Sequence, residues 1–296
     1  MNLEEKAIRR IRAASEMSLF HYRQPLVCAY SGGKDSDVLL ELFKRSEIPY
    51  EVHHSHTTAD APETVRHIRR AFKKLELDGV KCHIEMPTYQ GKRVTMWSLI
   101  PLKGIAPSRI MRYCCAVLKE TGCSDRFLAT GVRWAESNNR KERSTFENIT
   151  RNKKKKVKLS DEIILMNDND EKRKFTEHCQ LKKKSIVNPI IDWTDSQIWQ
   201  YIRSEKVNYN ELYDKGYHRV GCIGCPMAGK RRYKEFADYP AFQRAYIRAF
   251  ETMLEVRLNK GKPFKAAKTG EEVFKWWMED DTLEGQMNLF DDNFIP

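Results

Sequence analysis

The sequence predicts an α/β fold, a mostly parallel sheet with helices on both faces and a helical C-terminal part. Three observations lead there. An apolar run, Leu26-Val27-Cys28-Ala29-Tyr30, passes through a glycine pair into an apolar helical pattern of Val38, Leu39, Leu42 and Phe43. That reads as a buried strand, a tight loop and a helix start. Strand-like and helix-like segments then alternate, as parallel strands joined by crossover helices require. Finally, 296 residues with 41% hydrophobic content suffice for one large core that tolerates insertions.

In chain order, Leu3–Phe20 reads as a helix that stops before Pro25. The first strand, the glycine loop and a helix to about Arg45 follow. Tyr50–His54 is the second strand, after the turn at Ile48-Pro49. His56-Thr57-Thr58-Ala59-Asp60-Ala61-Pro62-Glu63 leads into a helix from about Pro62 to Leu75, with proline where the first turn tolerates it. Val80–Glu85 is the third strand and Phe127–Val132 the fourth, running straight into Arg133. Apolar order resumes at Ile186–Ile191, and Thr194 with Gln197 makes a capping box for a helix over Asp195–Arg203. Tyr239–Leu258 carries Phe242, Tyr246, Phe250 and Leu254 at helical spacing, a core-facing stripe. Thr269 caps a last helix holding Trp276 and Trp277. The expected organisation is one domain over 1–236, with a lysine-rich insertion at about 150–185, and a helical extension over 237–296 that ends in an acidic tail.

The net charge is +12, which suits polyanionic partners and nucleotide ligands. Its distribution says more. Arg151–Lys184 holds 12 Lys/Arg against 6 Asp/Glu, while Met278–Pro296 holds six acids and no base. Lys153–Lys156, Lys172-Arg173-Lys174 and Lys182–Lys184 suit contact with a nucleic-acid backbone without sequence reading. A solvated loop explains such a run equally simply. Only Phe146 and Phe175 are at hand for base stacking, so duplex is the better match than a single strand. No apolar run reaches membrane-spanning length, and the N-terminus reads as an amphipathic charged helix rather than a signal peptide. A cytoplasmic protein without a membrane partner is expected.

The loop itself is Ser31-Gly32-Gly33-Lys34-Asp35-Ser36. A Walker A motif would need a further glycine upstream, which Ala29 and Tyr30 do not supply. What remains is a glycine turn that brings backbone close to a ligand, a helix N-terminus that favours anions, two hydroxyls and one ammonium. Ligands of parallel sheets sit beyond the carboxyl ends of the strands. That gathers Ser31–Ser36, His56–Asp60 and Arg133 around one crevice. Arg133 and Arg140 have the fork geometry for phosphate oxygens, with surface ion pairing as the alternative. Asp35 suits orienting a metal or the loop, with helix capping as its other role.

Eight cysteines in a chain read as cytoplasmic point to metal or redox chemistry rather than a disulfide scaffold. Cys114 and Cys115 are adjacent, and Cys222-Ile223-Gly224-Cys225-Pro226 supplies a distant C-x-x-C. Four thiolates suit zinc or an iron–sulfur cluster. Consecutive cysteines reach one zinc only with strain but can bind separate irons of a cubane, so a [4Fe–4S] cluster is favoured. Cys28 and Cys82 lie on strands and read as core. Cys123 and Cys179 are unassigned, as plain thiols or persulfide carriers.

Read together, SGGKDS, HTTADAPET, RYCC, GVRWAES with Arg140, NPIIDWTDSQIWQYI and NELYDKGYHRVGCIGCP resemble the phosphoadenosine phosphosulfate (PAPS) reductase family, among the adenine-nucleotide α-hydrolase-like folds. The loop resembles that of the ATP pyrophosphatases, in which it holds the departing pyrophosphate. The resemblance implies that Ser31, Gly32, Gly33, Lys34, Asp35 and Ser36 face ATP phosphates and that Cys114, Cys115, Cys222 and Cys225 ligate the cluster. Family reductases carry a nucleophilic cysteine near the C-terminus, and here no cysteine follows Cys225. They also generally have altered phosphate loops, whereas this one is intact. The nearer analogue is the cluster-bearing ATP pyrophosphatase of DNA phosphorothioation.

That analogue implies ATP as substrate, Mg2+, adenylation of a nucleic-acid acceptor with Lys34, Asp35 and Arg133 in catalytic roles, and a cysteine desulfurase as sulfur donor. An assimilatory sulfonucleotide reductase and a non-catalytic nucleic-acid-binding module are the alternatives. In the tail, Gln286, Leu289 and Phe290 are similar to the peptide that docks in bacterial sliding clamps.

Overall fold

In a computed structural model of the chain, residues 2–120, 122–123, 125–136, 140–141, 143–149, 156–159 and 184–279 are described. The chain runs through α1 (Leu3–Tyr22), β1 (Leu26–Ala29), α2 (Lys34–Ser46), β2 (Tyr50–Ser55), α3 (Pro62–Leu77) and β3 (Lys81–Glu85). Two short strands, β4 (Thr88–Tyr89) and β5 (Lys92–Arg93), precede α4 (Met96–Lys103), α5 (Tyr113–Leu118) and β6 (Phe127–Ala129). Then come β7 (Phe146–Ile149), β8 (Lys156–Leu159), β9 (Lys184–Val187), α6 (Asp195–Ser204), α7 (Arg231–Asp238), α8 (Pro240–Asn259) and α9 (Gly270–Met278). Two compact units result, Met1–Thr88 with Val117–Gly221, and Tyr89–Ala116 with Cys222–Pro296. The break read from the sequence after residue 236 falls inside α7.

The first unit is organised on a seven-stranded sheet in the order β3-β2-β1-β6-β9-β7-β8. Strands β3, β2, β1, β6 and β9 are parallel, and β7 is antiparallel to both β9 and β8. This is the mostly parallel sheet with helices that the alternation predicts, and helices fill the C-terminal part. β1 is central because Leu26, Val27 and Cys28 are all fully buried, as a strand covered on both faces demands. Val38, Leu39, Leu42 and Phe43 of α2 and Ala7, Ile11 and Ala14 of α1 join the same core. The chain leaves β1 toward β2 on one side and pairs with β6 on the other, so the carboxyl ends of β1 and β6 flank a topological switch point.

Several boundaries differ from expectation, for local reasons. The fourth strand stops at Ala129 rather than Val132, because the chain turns at Gly131 to pass against the first turn of α2. A Cβ there would lie 3.1 Å from the Asp35 carbonyl, so glycine eases the approach, and any other residue would push the two backbones a few tenths of an ångström apart. Cys28 is core as expected, but Cys82, on the exposed strand β3, is only half-buried. The lysine-rich stretch contributes β8 and the start of β9, and its residues 150–155 and 160–183, Cys179 and Phe175 among them, lie outside those described, as does the acidic tail beyond residue 279.

The second unit is helical. Helices α4 and α9 each pack against α8, burying Tyr246, Phe250 and Met253 of α8 with Trp277 of α9. Leu254, read as core, is half-buried instead, since Met253 occupies the inward position. Thr269 caps α9 through Glu272 N. Among the described residues no helix is long and apolar enough to cross a membrane.

A buried polar trio stiffens the base of the loop. Tyr30 donates its hydroxyl to Asp37 Oδ1 at 2.6 Å, and His67 Nε2 meets the same oxygen at 2.8 Å. Burial raises the Asp37 carboxyl above its ordinary value, against the opposing pull of His67 and Tyr30. A raised carboxyl contributes fully below its unfolded value of about 3.9, and the contribution is lost as pH climbs through the folded value. Asp37→Asn should therefore flatten the fall in stability from about pH 4 upward, and Tyr30→Phe should cost about 1–3 kcal/mol. Urea denaturation across that pH range checks both; an unchanged slope in Asp37→Asn would count against the protonated carboxyl.

Candidate functional site

The glycine loop holds its shape through one hydroxyl. Ser36 Oγ accepts from Gly33 N at 3.1 Å and Ser31 N at 3.3 Å, and donates to Gly33 O at 2.8 Å. Ser36, not Asp35, thus does the work of a cap at the start of α2, which corrects the capping role considered for Asp35. Gly32 has φ +73°, and a Cβ on it would fall 2.8 Å from Ile68 Cγ1, so both conformation and space require glycine. Two residues of the 210–217 segment clamp the loop from outside. Asn210, fully buried, donates from Nδ2 to Gly32 O at 3.0 Å, and Lys34 N donates to the Tyr213 hydroxyl at 3.0 Å.

Four charges form a closed ring at this loop. Lys34, 6% exposed, places Nζ 2.9 Å from Asp195 Oδ1 and 3.3 Å from Asp35 Oδ2. Arg133, 2% exposed, donates from Nε to Asp35 Oδ1 at 2.7 Å and from Nη2 to Asp195 Oδ1 at 3.0 Å. Its Nη1 donates to Trp193 O at 3.2 Å. Buried cations persist only when paired, and here each cation meets both anions. Burial pushes the Asp195 carboxyl upward, but the Lys34 hydrogen bond and the charges of Lys34 and Arg133 outweigh it and hold it below its ordinary value. Asp195 is the first residue of α6, capped by Thr194 through Gln197 N.

Arg140 sits among like charges. Burial first, then Arg219 and Arg143, pulls its guanidinium down to about 10, with Asp35 opposing and Arg133 adding. Its carboxylate partner is Glu136, which also accepts from Arg133 N at 3.0 Å. Arginines crowded enough to depress one another mark a place that an anion would relieve. Of the crevice read from the sequence, loop, Arg133 and Arg140 come together electrostatically. His56 pairs with Asp60 at 3.8 Å, and His54 Nδ1 meets Tyr30 O at 3.0 Å at the end of β1. The sequence reading missed Asp195, Asn210 and Tyr213 as individuals, although the segments DWTDS and NELYDKGY were quoted; Asp195 was legible only as a helix start.

The cysteines belong to the second unit. Hydrogen bonding to Cys115 and burial, followed by the charges of Cys115, Cys225 and Cys222, raise the Cys114 thiol well above its ordinary value. The four thiols are therefore electrostatic neighbours within the second unit. Three groups of metal-ligating atoms among the described residues lie within 4.8 Å of one another, and none draws on these cysteines.

The surrounding residues complete the fit. Gly224 has φ +73°, and a Cβ there would strike Phe236 at 2.5 Å and Tyr246 at 2.9 Å. Its N–H donates to Glu235 Oε2 at 2.7 Å, and Arg112 Nη2 lies 3.5 Å from Cys115 Sγ. Phe236, Tyr246 and Trp277 build an apolar wall of the kind that tunes clusters. By donor chemistry, four thiolates suit the ligand set of a [4Fe–4S] group. Anaerobically prepared protein should carry about four irons per chain, and Cys225→Ser should lose most of them. Iron assay and the visible absorption of the cluster check this; retained iron in Cys225→Ser would remove that ligand.

The chain is similar to an uncharacterized protein of Methanocaldococcus jannaschii, 26% identical over 227 residues, covering 76% of this chain and 47% of that protein. A second protein of that organism is 28% identical, with 40% of its length covered, so the chain spans less than half of each. An adenosine 5'-phosphosulfate reductase of Anoxybacillus flavithermus is 26% identical over 218 residues, covering 69% of this chain and 74% of that protein. Among solved structures, the Candida auris PAPS reductase has 17% identity and a TM-score of 0.43, covering 71% of this chain and 87% of that one. The U34-tRNA thiolase of Methanococcus maripaludis with its [4Fe-4S] cluster has 13% identity and a TM-score of 0.38, covering 95% and 89%. The phosphoadenosine phosphosulfate reductase domain matches residues 25–228, from the strand before the glycine loop to just beyond the C-x-x-C, and the chain belongs to that family.

Proposed function

We propose that the chain cleaves ATP between the α- and β-phosphates, adenylating an oxygen of a nucleic-acid backbone so that sulfur can replace it, with DNA phosphorothioate as product. The observation that carries this reading is the buried Lys34 ammonium, set between Asp35 and Asp195 on an intact glycine loop. A ring of two cations and two anions can exchange partners without gaining net charge. Lys34 and Arg133 turn toward phosphate oxygens as the triphosphate enters, while Asp35 and Asp195 keep them in place. Asp35 and Asp195 are hard oxygen donors that fit Mg2+, which when bound would neutralise triphosphate charge. A cluster held by Cys114, Cys115, Cys222 and Cys225 would supply iron able to carry electrons or an extra sulfur.

The balance is simple. An acceptor oxygen attacks the α-phosphorus, the bond to the β-phosphate oxygen breaks, and pyrophosphate leaves. A cysteine desulfurase supplies sulfur as a persulfide; an external thiol attacks its inner sulfur, forming a disulfide with the desulfurase cysteine and releasing hydrosulfide, which attacks the activated acceptor phosphorus while AMP departs with the oxygen. Main-chain amides of the loop and the Lys34 charge stabilise the negative charge that builds on pyrophosphate. The lysine clusters of the insertion would hold the duplex, and Gln286, Leu289 and Phe290 would dock a sliding clamp.

The Anoxybacillus flavithermus relative favours a second reading, reduction of a sulfonucleotide. That chemistry needs a thiolate to attack sulfur, and residues 226–296 contain no cysteine. Incubating the anaerobic protein with ATP and duplex DNA, or with labelled sulfonucleotide, separates the two: pyrophosphate is expected, whereas sulfite would establish the reductase. Lys34→Ala should slow pyrophosphate release about 10²-fold or more, and a near-normal rate would defeat the role given to Lys34. Deleting Gln286–Phe290 should abolish capture by a sliding clamp; unchanged capture would dismiss that partner.

A further inference from the structure

Toward the edge of the sheet, a second set of metal-ligating side chains converges. In the β2–β3 register His53 lies opposite His83 and Ser55 opposite Glu85, so these side chains share one face of the sheet. His53 Nδ1 is 3.1 Å from Glu85 Oε1, Cys123 Sγ is 3.1 Å from His53 Nδ1, and Cys123 Sγ is 3.2 Å from Glu85 Oε1. We propose that His53, Glu85 and Cys123 form a transition-metal site of the zinc class, distinct from the four cysteines of the second unit.

The donor set is one nitrogen, one carboxylate oxygen and one thiolate, each a zinc ligand. Bonds of about 2.0–2.3 Å in a tetrahedron put such donors about 3.3–3.8 Å apart. The three atoms need spread by only a few tenths of an ångström to accept the ion. The surroundings are those of a ligating histidine. His53 Nε2 lies 3.5 Å from Glu51 Oε2, and Arg126 Nη2 holds the same oxygen at 2.6 Å. A carboxylate behind the second ring nitrogen fixes the tautomer that leaves Nδ1 to bind metal. The imidazole of His83 stands 4.5 Å from that of His53, ring to ring.

The loop that brings Cys123 over Glu85 is built for close approach. A Cβ on residue 122 would fall 1.5 Å from Glu85 Oε2, so Gly122 cannot be exchanged while the carboxylate stays. Cys123 itself takes φ +56°, a conformation uncommon for a residue with a side chain. Beside these ligands lies a cavity of about 290 Å³, lined in part by Ser55, Glu85, Leu118 and Gly122. Three protein ligands next to open space match sites that keep a position for water or a small ligand rather than closed structural ones.

Cobalt(II) is the probe, because a thiolate–cobalt bond absorbs visibly and reports sulfur ligation. Titrated into the full-length, cluster-containing protein under anaerobic conditions, cobalt should give one equivalent more with the wild type than with Cys123→Ser. His53→Gln should bind that equivalent at least tenfold more weakly. The difference between wild type and Cys123→Ser reads this site whatever the other cysteines hold, so it is independent of the proposed ATP chemistry. As a second readout, zinc should protect Cys123 from iodoacetamide, followed by mass spectrometry of its peptide. Equal cobalt uptake in Cys123→Ser, or alkylation of Cys123 at the same rate with and without zinc, would overturn the site and leave a hydrogen-bonded thiol–imidazole pair.

Discussion

The first unit depends on a single electrostatic constraint: two nearly buried cations, Lys34 and Arg133, must be neutralised beside a loop made of bare backbone. Asp35 and Asp195 meet it from two different helices, and in doing so tie together three separate stretches of the chain. Removing either carboxylate leaves a buried cation short of a partner where water is scarce, the costly case for ion pairs. The ring is also why the loop can be preorganised without its ligand. Cations that would otherwise repel one another across the glycine turn are held at fixed distance by carboxylates, ready to shift toward a stronger anion.

Backbone geometry supplies the rest. The switch point between β1 and β6 opens a gap at the carboxyl ends of those strands. Gly131 lets the chain leaving β6 run against the first turn of α2, and Arg133, two residues later, reaches Asp35. Strand order, a missing side chain and an ion pair are therefore consecutive steps of one arrangement. A bulkier residue at 131 would press on the backbone of Asp35, the partner of Arg133, without touching any charge.

Much of this was legible in the residues. The apolar run of β1, the proline opening α3 and the Thr194–Gln197 box each carry a local signal strong enough to fix an element within one or two residues. The glycine loop announced itself for the same reason, since two consecutive glycines before a helix have few other uses. What escaped was non-local. Nothing near Asp195 says that it faces Lys34, because that pairing exists only once β9 pairs with β6 and α6 packs against α2. Asn210 and Tyr213 are ordinary loop residues until the fold sets them on the glycine turn. Likewise Cys123 reads as a lone thiol, and only the β2–β3 register brings His53 and Glu85 beneath it.

The second unit is discontinuous, assembled from Tyr89–Ala116 and Cys222–Pro296, with one pair of thiols on each piece. A chain emerging from the ribosome thus displays Cys114 and Cys115 long before their counterparts exist. A metal group held by all four, as proposed above, could be taken up only once Cys222 and Cys225 have been made. Such a group would clasp a very long chain loop, and its loss would loosen an entire module rather than a single pocket.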